Sequence, residues 1–267
     1  MQHILVVNMN WLGDVIFSAP IFKALKEKYP HSKVSCLAVP RVKEILECIE
    51  GVDEIIVYEE EGRHKSFWGK LSLIAQLRRQ KFDTAFLLHR SWTRALLVYW
   101  GGIKNRIGYD IKGRAPFLTR AVAEPKEKLH RSDYYLKLIE DVGVRIKDRR
   151  CMLKVNPQAK LKVDGILKEN GLLDQRFLVI HPGGNWDLKR WPVRNFSRLI
   201  QRIMEEGKWK VALTGSSADQ ELVNDIIKDL PFKPVILTGT LSLKELMALM
   251  QQAALVISGD SGPIHLA

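Results

Sequence analysis

The sequence predicts an α/β protein of two halves, each a parallel sheet with helices on its faces. Short β-branched apolar runs alternate with segments of helical period, the pattern of strands joined by crossover helices. The alternation lapses near residue 155 and restarts at Phe177. Several strand-like runs end in loops rich in Gly, Asp, Ser or Lys, where ligands sit in such sheets.

In order, His3-Ile-Leu-Val-Val-Asn8 is a short β-branched run that reads as a buried strand. Residues 14–28 have helical period, with Ile16, Ile21 and Leu25 on one side. Pro20 leaves two readings open: a helix starting near Ser18 with Pro20 in its first turn, or one starting at Asp14 and bending. Residues 34–39, 54–57 and 84–88 are expected as strands, and 41–49 and 67–79 as helices. In the second half, strands are expected at 177–181, 210–214, 235–237 and 255–258. Helices are expected at 193–206, 219–230 and 243–253. Asn156-Pro157 falls in the expected bridge, so the domains are drawn at 1–155 and 156–267. The chain stops just inside a helical pattern with no closing strand or terminal helix, so we expect a longer protein whose C-terminal end is missing here.

The bulk composition narrows the classes. The 267 residues are 46% hydrophobic and 27% charged, an ordinary globular balance with length enough for two cores. Cys36, Cys48 and Cys151 are odd in number and lack metal-ligand spacing, which argues against a disulfide framework or zinc site and fits a reducing, cytoplasmic setting. The N-terminus lacks the layout of a secretion signal, and no apolar run approaches a membrane span. The net charge is +12, and from Arg63 to Arg120 the chain has 13 Lys or Arg against Asp83 and Asp110. Such a concentrated patch suits an anionic partner. It is also what a solvated basic face would show.

Three loops carry the chemistry. The first, Asn10-Trp-Leu-Gly-Asp14, follows the opening strand; Gly13 permits a tight turn, and Asp14 is either a capping residue or a carboxylate set for catalysis. The second, His181-Pro-Gly-Gly-Asn-Trp-Asp-Leu-Lys-Arg-Trp-Pro192, pairs a flexible glycine turn with Lys189 and Arg190, cations suited to a diphosphate. The third, Ser258-Gly-Asp-Ser-Gly-Pro-Ile-His-Leu-Ala267, runs from a strand into an expected helix start. There the N–H groups of Ser261 and Gly262 would meet phosphate, with Asp260 placed for sugar hydroxyls and His265 for phosphate or for packing. Neither G-x-G-x-x-G nor G-x-x-x-x-G-K-[ST] occurs, which excludes the common dinucleotide and P-loop sites. Gly-Asp-Ser-Gly is shared with the nucleophile segment of secreted all-β serine proteases, but an α/β chain without an orienting acid does not support that chemistry.

Together the loops resemble those of the heptosyltransferases of lipopolysaccharide synthesis, most nearly the heptosyltransferase II branch. Asn10-Trp-Leu-Gly-Asp14, His89-Arg-Ser-Trp-Thr-Arg-Ala-Leu96 and Lys189-Arg-Trp-Pro192 carry the likeness, which spans the whole sequence. The resemblance implies a fold of the GT-B type, with two facing Rossmann-like domains, the first for acceptor and the second for nucleotide sugar. It implies an inverting transfer of heptose from ADP-heptose to a heptosyl-Kdo-lipid A type acceptor. It assigns Asp14 as general base and Gly184, Asn185, Lys189, Asp219, Leu241, Asp260, Ser261, Gly262 and His265 to the donor. Ser261 stands where relatives carry Thr, which keeps the hydroxyl. On the acceptor side, Asn10 and Gly13 are joined by Arg90 and Arg94 at the end of a strand in the basic segment. No metal and no cofactor are implied. The partners expected are the sugar nucleotide, the anionic lipopolysaccharide core and the surface of the inner membrane, with no nucleic acid. A related transferase using another sugar, and a non-catalytic nucleotide- or nucleic-acid-binding module, stay open as alternatives.

Overall fold

The computed structural model describes residues 2–184 and 186–267. The chain divides into two compact units, Met1–Lys154 and Val155–Ala267.

The first unit runs β1 (His3–Val7), α1 (Leu12–Phe17), α2 (Ala19–Lys28), β2 (Lys33–Ala38), a 3-10 turn into α3 (Lys43–Leu46), β3 (Glu54–Val57), α4 (Phe67–Gln80), β4 (Thr84–Leu87), α5 (Trp92–Trp100), β5 (Asn105–Tyr109), β6 (Arg120–Val122) and α6 (Arg131–Glu140). Its six strands are all parallel in the order β3-β2-β1-β4-β5-β6. Ile4, Leu5, Val6 and Val7 are fully buried, so both faces of β1 are covered, as its unbroken apolar run requires. One face packs Leu5, Val7, Ala85 and Leu87 against Leu73 and Leu77 of α4 and Ala95 and Val98 of α5.

The second unit runs α7 (Pro157–Glu169), β7 (Phe177–His181), α8 (Val193–Glu205), β8 (Lys210–Leu213), α9 (Gln220–Ile227), β9 (Val235–Ile236), α10 (Leu243–Gln252) and β10 (Leu255–Ser258). Its four parallel strands are ordered β10-β7-β8-β9. Two apolar clusters form its core, one joining α7 and α10 to the sheet and the other joining α8 and α9 to it.

The structure resolves the ambiguity at Pro20. Residues 12–28 form two successive helices broken at Ser18, and Pro20 lies in the first turn of the second. There its missing N–H costs nothing. The buried Ser18 hydroxyl donates to the Val15 carbonyl at 2.7 Å and takes up the chain at the break. The boundary between the units, Lys154 to Val155, falls in the expected bridge of residues 154–158, and α7 opens within it. Asn156 caps α7, its Oδ1 accepting from the N–H groups of Gln158 and Ala159 at 2.9 and 3.0 Å, with Pro157 first in the helix.

Candidate active site

In the first unit the strand order reverses between β1 and β4, so the loops leaving these strands flank the switch point. The loop after β1 is rigidly built. The fully buried Asn8 donates through Nδ2 to Ser18 Oγ at 2.9 Å, and its Oδ1 accepts from the Met9 N–H at 2.7 Å. Asn10 donates to Glu60 at 2.7 Å and accepts from Arg94 Nη2 at 2.5 Å. Asp14 lies in the first turn of α1, its side chain 16% exposed. Oδ1 accepts a hydrogen bond from the Tyr135 hydroxyl at 2.6 Å and has Arg131 Nε at 3.9 Å. Among the described residues both contacts fall on Oδ1. Tyr135 is buried in α6, and that burial, reinforced by the carboxylate, pushes its phenol up, so it stays a donor. Gly13 is buried in the same turn.

Arg94 departs from the expectation of direct acceptor contact. It is 1% exposed and spends its guanidinium on the Asn8 carbonyl at 2.8 Å, on Asn10 and on Glu60 at 3.3 Å. Its Cζ lies 5.3 Å from the centre of the Tyr58 ring. Burial works against its charge and Glu60 offsets this. Arg94 thus supports the loop from beneath. Arg90 remains at the surface, paired with Glu124 at 3.1 Å. The sequence reading missed Arg114, which is fully buried and donates to the carbonyls of Tyr109, at 2.9 Å, and of His89. His89 accepts the Ser91 N–H on Nδ1 at 3.0 Å. Burial, with Arg94, Arg114 and Lys112 nearby, lowers its pKa to about 3. It is therefore neutral at any working pH.

In the second unit the order reverses between β7 and β10. The loops leaving them are tied together: Lys189 Nζ donates to Asp260 Oδ2 at 2.5 Å, and this bond holds the Asp260 carboxyl below its usual range. Arg190 donates to the Gly184 carbonyl through Nε at 3.1 Å and Nη2 at 2.8 Å. Ser258 and Ser261 share a hydrogen bond at 3.2 Å. Asp219 is buried and closes a capping box with Ser216, accepting from its N–H at 2.8 Å and its hydroxyl at 2.6 Å. A Cβ on Gly183 would lie 2.5 Å from that carboxylate, so the glycine is needed for the approach of loop to loop. Leu241 packs against the core beside the start of α10. Asn185 lies outside the described residues.

The expected helix start after β10 is a four-residue 3-10 turn, Gly262–His265. The Ser261 N–H is already given to the Gly259 carbonyl at 2.8 Å, so it is not the open phosphate donor foreseen. Asp260 and His265 are exposed. Among the described residues no cluster of His, Cys, Asp or Glu suits a metal ion, and no helix is long and apolar enough to cross a membrane.

The class that this fold and these loops define is the glycosyltransferases. Residues 70–267 match the family model described as glycosyltransferase family 9 (heptosyltransferase), and the chain belongs to that family. Among curated relatives, lipooligosaccharide heptosyltransferase 2 of Haemophilus influenzae is 26% identical over 279 residues, spanning 100% of this chain and 80% of its own. The structure of the ADP-heptose lipopolysaccharide heptosyltransferase II of E. coli superimposes with a TM-score of 0.82 at 25% identity, covering 100% of this chain and 81% of that one. A glycosyl transferase family 9 structure from Veillonella parvula gives a TM-score of 0.91 at 24% identity, covering 99% and 78%. It supports the fold alone.

Proposed function

We propose that this enzyme transfers heptose from ADP-heptose to a heptosyl-Kdo-lipid A type acceptor of the lipopolysaccharide inner core, with inversion at the anomeric carbon. ADP-heptose and lipopolysaccharide are the donor and acceptor classes for which the relatives are named, and they support this reading; the chemistry rests on Asp14. This carboxylate stands at the strand-order reversal, partly exposed, with Oδ1 occupied by Tyr135 and Arg131. In the proposed reaction its other oxygen takes the proton of the acceptor hydroxyl as that oxygen bonds to the anomeric carbon. The bond from that carbon to ADP breaks on the opposite face. Lys189 meets the charge of the departing diphosphate, exchanging its Asp260 partner for phosphate oxygens. Asn10, Gly13 and Arg90 line the acceptor side. Gly184, Asp260, Ser261, Gly262 and His265 line the donor side, and Asp219 and Leu241 act from beneath it.

Thermal melting with ADP, UDP, GDP and NAD, followed by an ADP-heptose transfer assay, tests this reading. ADP alone is expected to stabilise, by about 2.7 kcal/mol at one hundred times its Kd. Asp14→Ala is expected to keep that shift and to lose turnover roughly 10²–10⁴-fold. Wild-type turnover in Asp14→Ala removes the base, and an equal response to all four nucleotides removes the donor.

A further inference from the structure

Helix α4 carries apolar residues on two faces. Leu73, Ile74 and Leu77 are buried in the core of the first unit. Phe67, Leu71 and Ala75 follow one another at i, i+4 and i+8 with Trp68 beside them, a stripe about 100° wide. This stripe faces water: Phe67 is 64%, Trp68 77% and Leu71 36% exposed, and Ala75 is exposed too. Two other exposed rings of this unit, Trp92 and Tyr99, pack edge-on against Phe117. Phe67 and Trp68 lean on each other, ring centres 5.7 Å apart and edge to face, and form a wedge.

The wedge stands on a rigid base. The Ser66 hydroxyl caps the helix, accepting the Gly69 N–H at 3.0 Å. A Cβ on Gly69 would fall 1.9 Å from the Arg63 carbonyl oxygen, so only glycine lets the loop carrying Arg63, His64 and Lys65 lie against the first turn. Buried His64 pins that loop by accepting the Glu59 N–H at 2.9 Å. Along the helix and its flanks the charge is positive: from Lys65 to Phe82 there are five cations and no acid, while in the loop before it Glu59 pairs with Arg63, Glu60 pairs with Arg94 and Glu61 is exposed. An exposed apolar stripe rimmed by cations is the make-up of a helix that lies in the surface of an anionic bilayer.

We infer that α4 lies along an anionic lipid surface, with Phe67, Trp68 and Leu71 of its first turns entering the headgroup boundary and Lys65, before the helix, and Arg79, on the stripe side of its last turn, set against lipid phosphates. The inference deepens the proposed function, in which the acceptor is lipid-borne, by naming the element that brings the enzyme to it. The experiment is co-sedimentation of the whole protein with vesicles of phosphatidylcholine alone and with vesicles containing phosphatidylglycerol. It is read beside quenching of tryptophan fluorescence by brominated lipid. Wild type is expected to bind the anionic vesicles, less so at high salt, and to be quenched. The triple variant Phe67→Ser, Trp68→Ser, Leu71→Ser changes only exposed side chains and should melt as wild type does. It is expected to bind at least about tenfold more weakly and to lose the quenching, while turning over a lipid-free acceptor fragment at the wild-type rate. Equal vesicle binding by the triple variant overturns the inference, as does binding of wild type without quenching. So does a concentration-dependent self-association that the variant abolishes without any change in lipid binding. Vesicle binding needs no sugar transfer, so failure of the proposed reaction leaves this test standing, and the reverse holds.

Discussion

Tyr135 donates to the carboxylate that the proposed reaction uses as its base, from a side chain that is itself 1% exposed. A ring so enclosed has little freedom, so the bond fixes which carboxylate oxygen is engaged and how the group is turned. Tyr135→Phe keeps the ring and its packing and removes only the donor. We expect kcat to fall roughly 10–100-fold, the cost of a misaligned catalytic group, with KM for donor and melting temperature nearly unchanged. If Tyr135 acts through Asp14, then Tyr135→Phe added to Asp14→Ala costs nothing further, and a double-mutant cycle reads this directly. Additive losses would show that the hydroxyl acts elsewhere. The Lys189–Asp260 pair is different in kind. Its side chains are 52% and 73% exposed, and exposed pairs add little to stability. Lys189→Ala is therefore expected to leave melting within a degree or so while weakening ADP binding roughly 10–100-fold, the loss of a charge-assisted hydrogen bond. A calorimetric titration with ADP checks it.

At the scale of elements, the loop after β7 depends on what lies beneath it. Asp219 is held in its capping box against the Gly183 backbone, leaving no room for a methyl group. Gly183→Ala is expected to destabilise the protein by about 1–3 kcal/mol, an overpacking penalty, and to weaken ADP binding by displacing the loop that carries Lys189. Gly165→Ala, where a Cβ meets open space on the surface of α7, is the control and should not destabilise. Denaturant melts of the two variants decide it. The same contrast explains what could be read in advance. Strands such as Phe177–His181 and Glu54–Val57 were legible because their apolar residues are contiguous and their ends carry turn residues. The helix at Trp92–Trp100 was not, because it is short and so apolar that it cannot be told from a buried strand by its residues. The strands Asn105–Tyr109 and Arg120–Val122 were missed because Asn105, Arg106 and Arg120 put polar groups where a strand pattern wants apolar ones. They lie toward one end of the sheet, partly exposed. The three loops were visible because their residue types are unusual together. Arg114 and Tyr135 were not, since only the fold brings a side chain from a distant loop or helix under them. Arg94 was visible, but its role was not, because burial is decided by neighbours 34 and 84 residues away.

For the whole molecule the histidines set an acid limit. Three of them, His64, His89 and His181, have their pKa lowered chiefly by burial, in both units of the fold. His89 shows the consequence most clearly: its ordinary 6.5 falls to about 3 in the folded chain. Between those values the unfolded chain carries the proton and the folded one does not, so unfolding takes up a proton and stability falls as pH falls. Above about 6.5 the contribution is fully present. Below it the slope for this one group is about 1.4 kcal/mol per pH unit. Carboxylates with lowered pKa, among them Glu54, Glu245 and Asp260, add their own loss only at lower pH, where the unfolded carboxyls begin to protonate near 4. Two phases are therefore expected in a plot of stability against pH, an imidazole phase from 6.5 downward and a steeper one below about 4.5. In His89→Asn the amide oxygen can still accept the Ser91 N–H, but it cannot titrate. The upper phase should lose one proton's worth of slope while the lower one stays. Urea unfolding of wild type and variant across this range is the measurement, and an unaltered upper slope would mean that His89 takes up its proton in the folded state as readily as in the unfolded one.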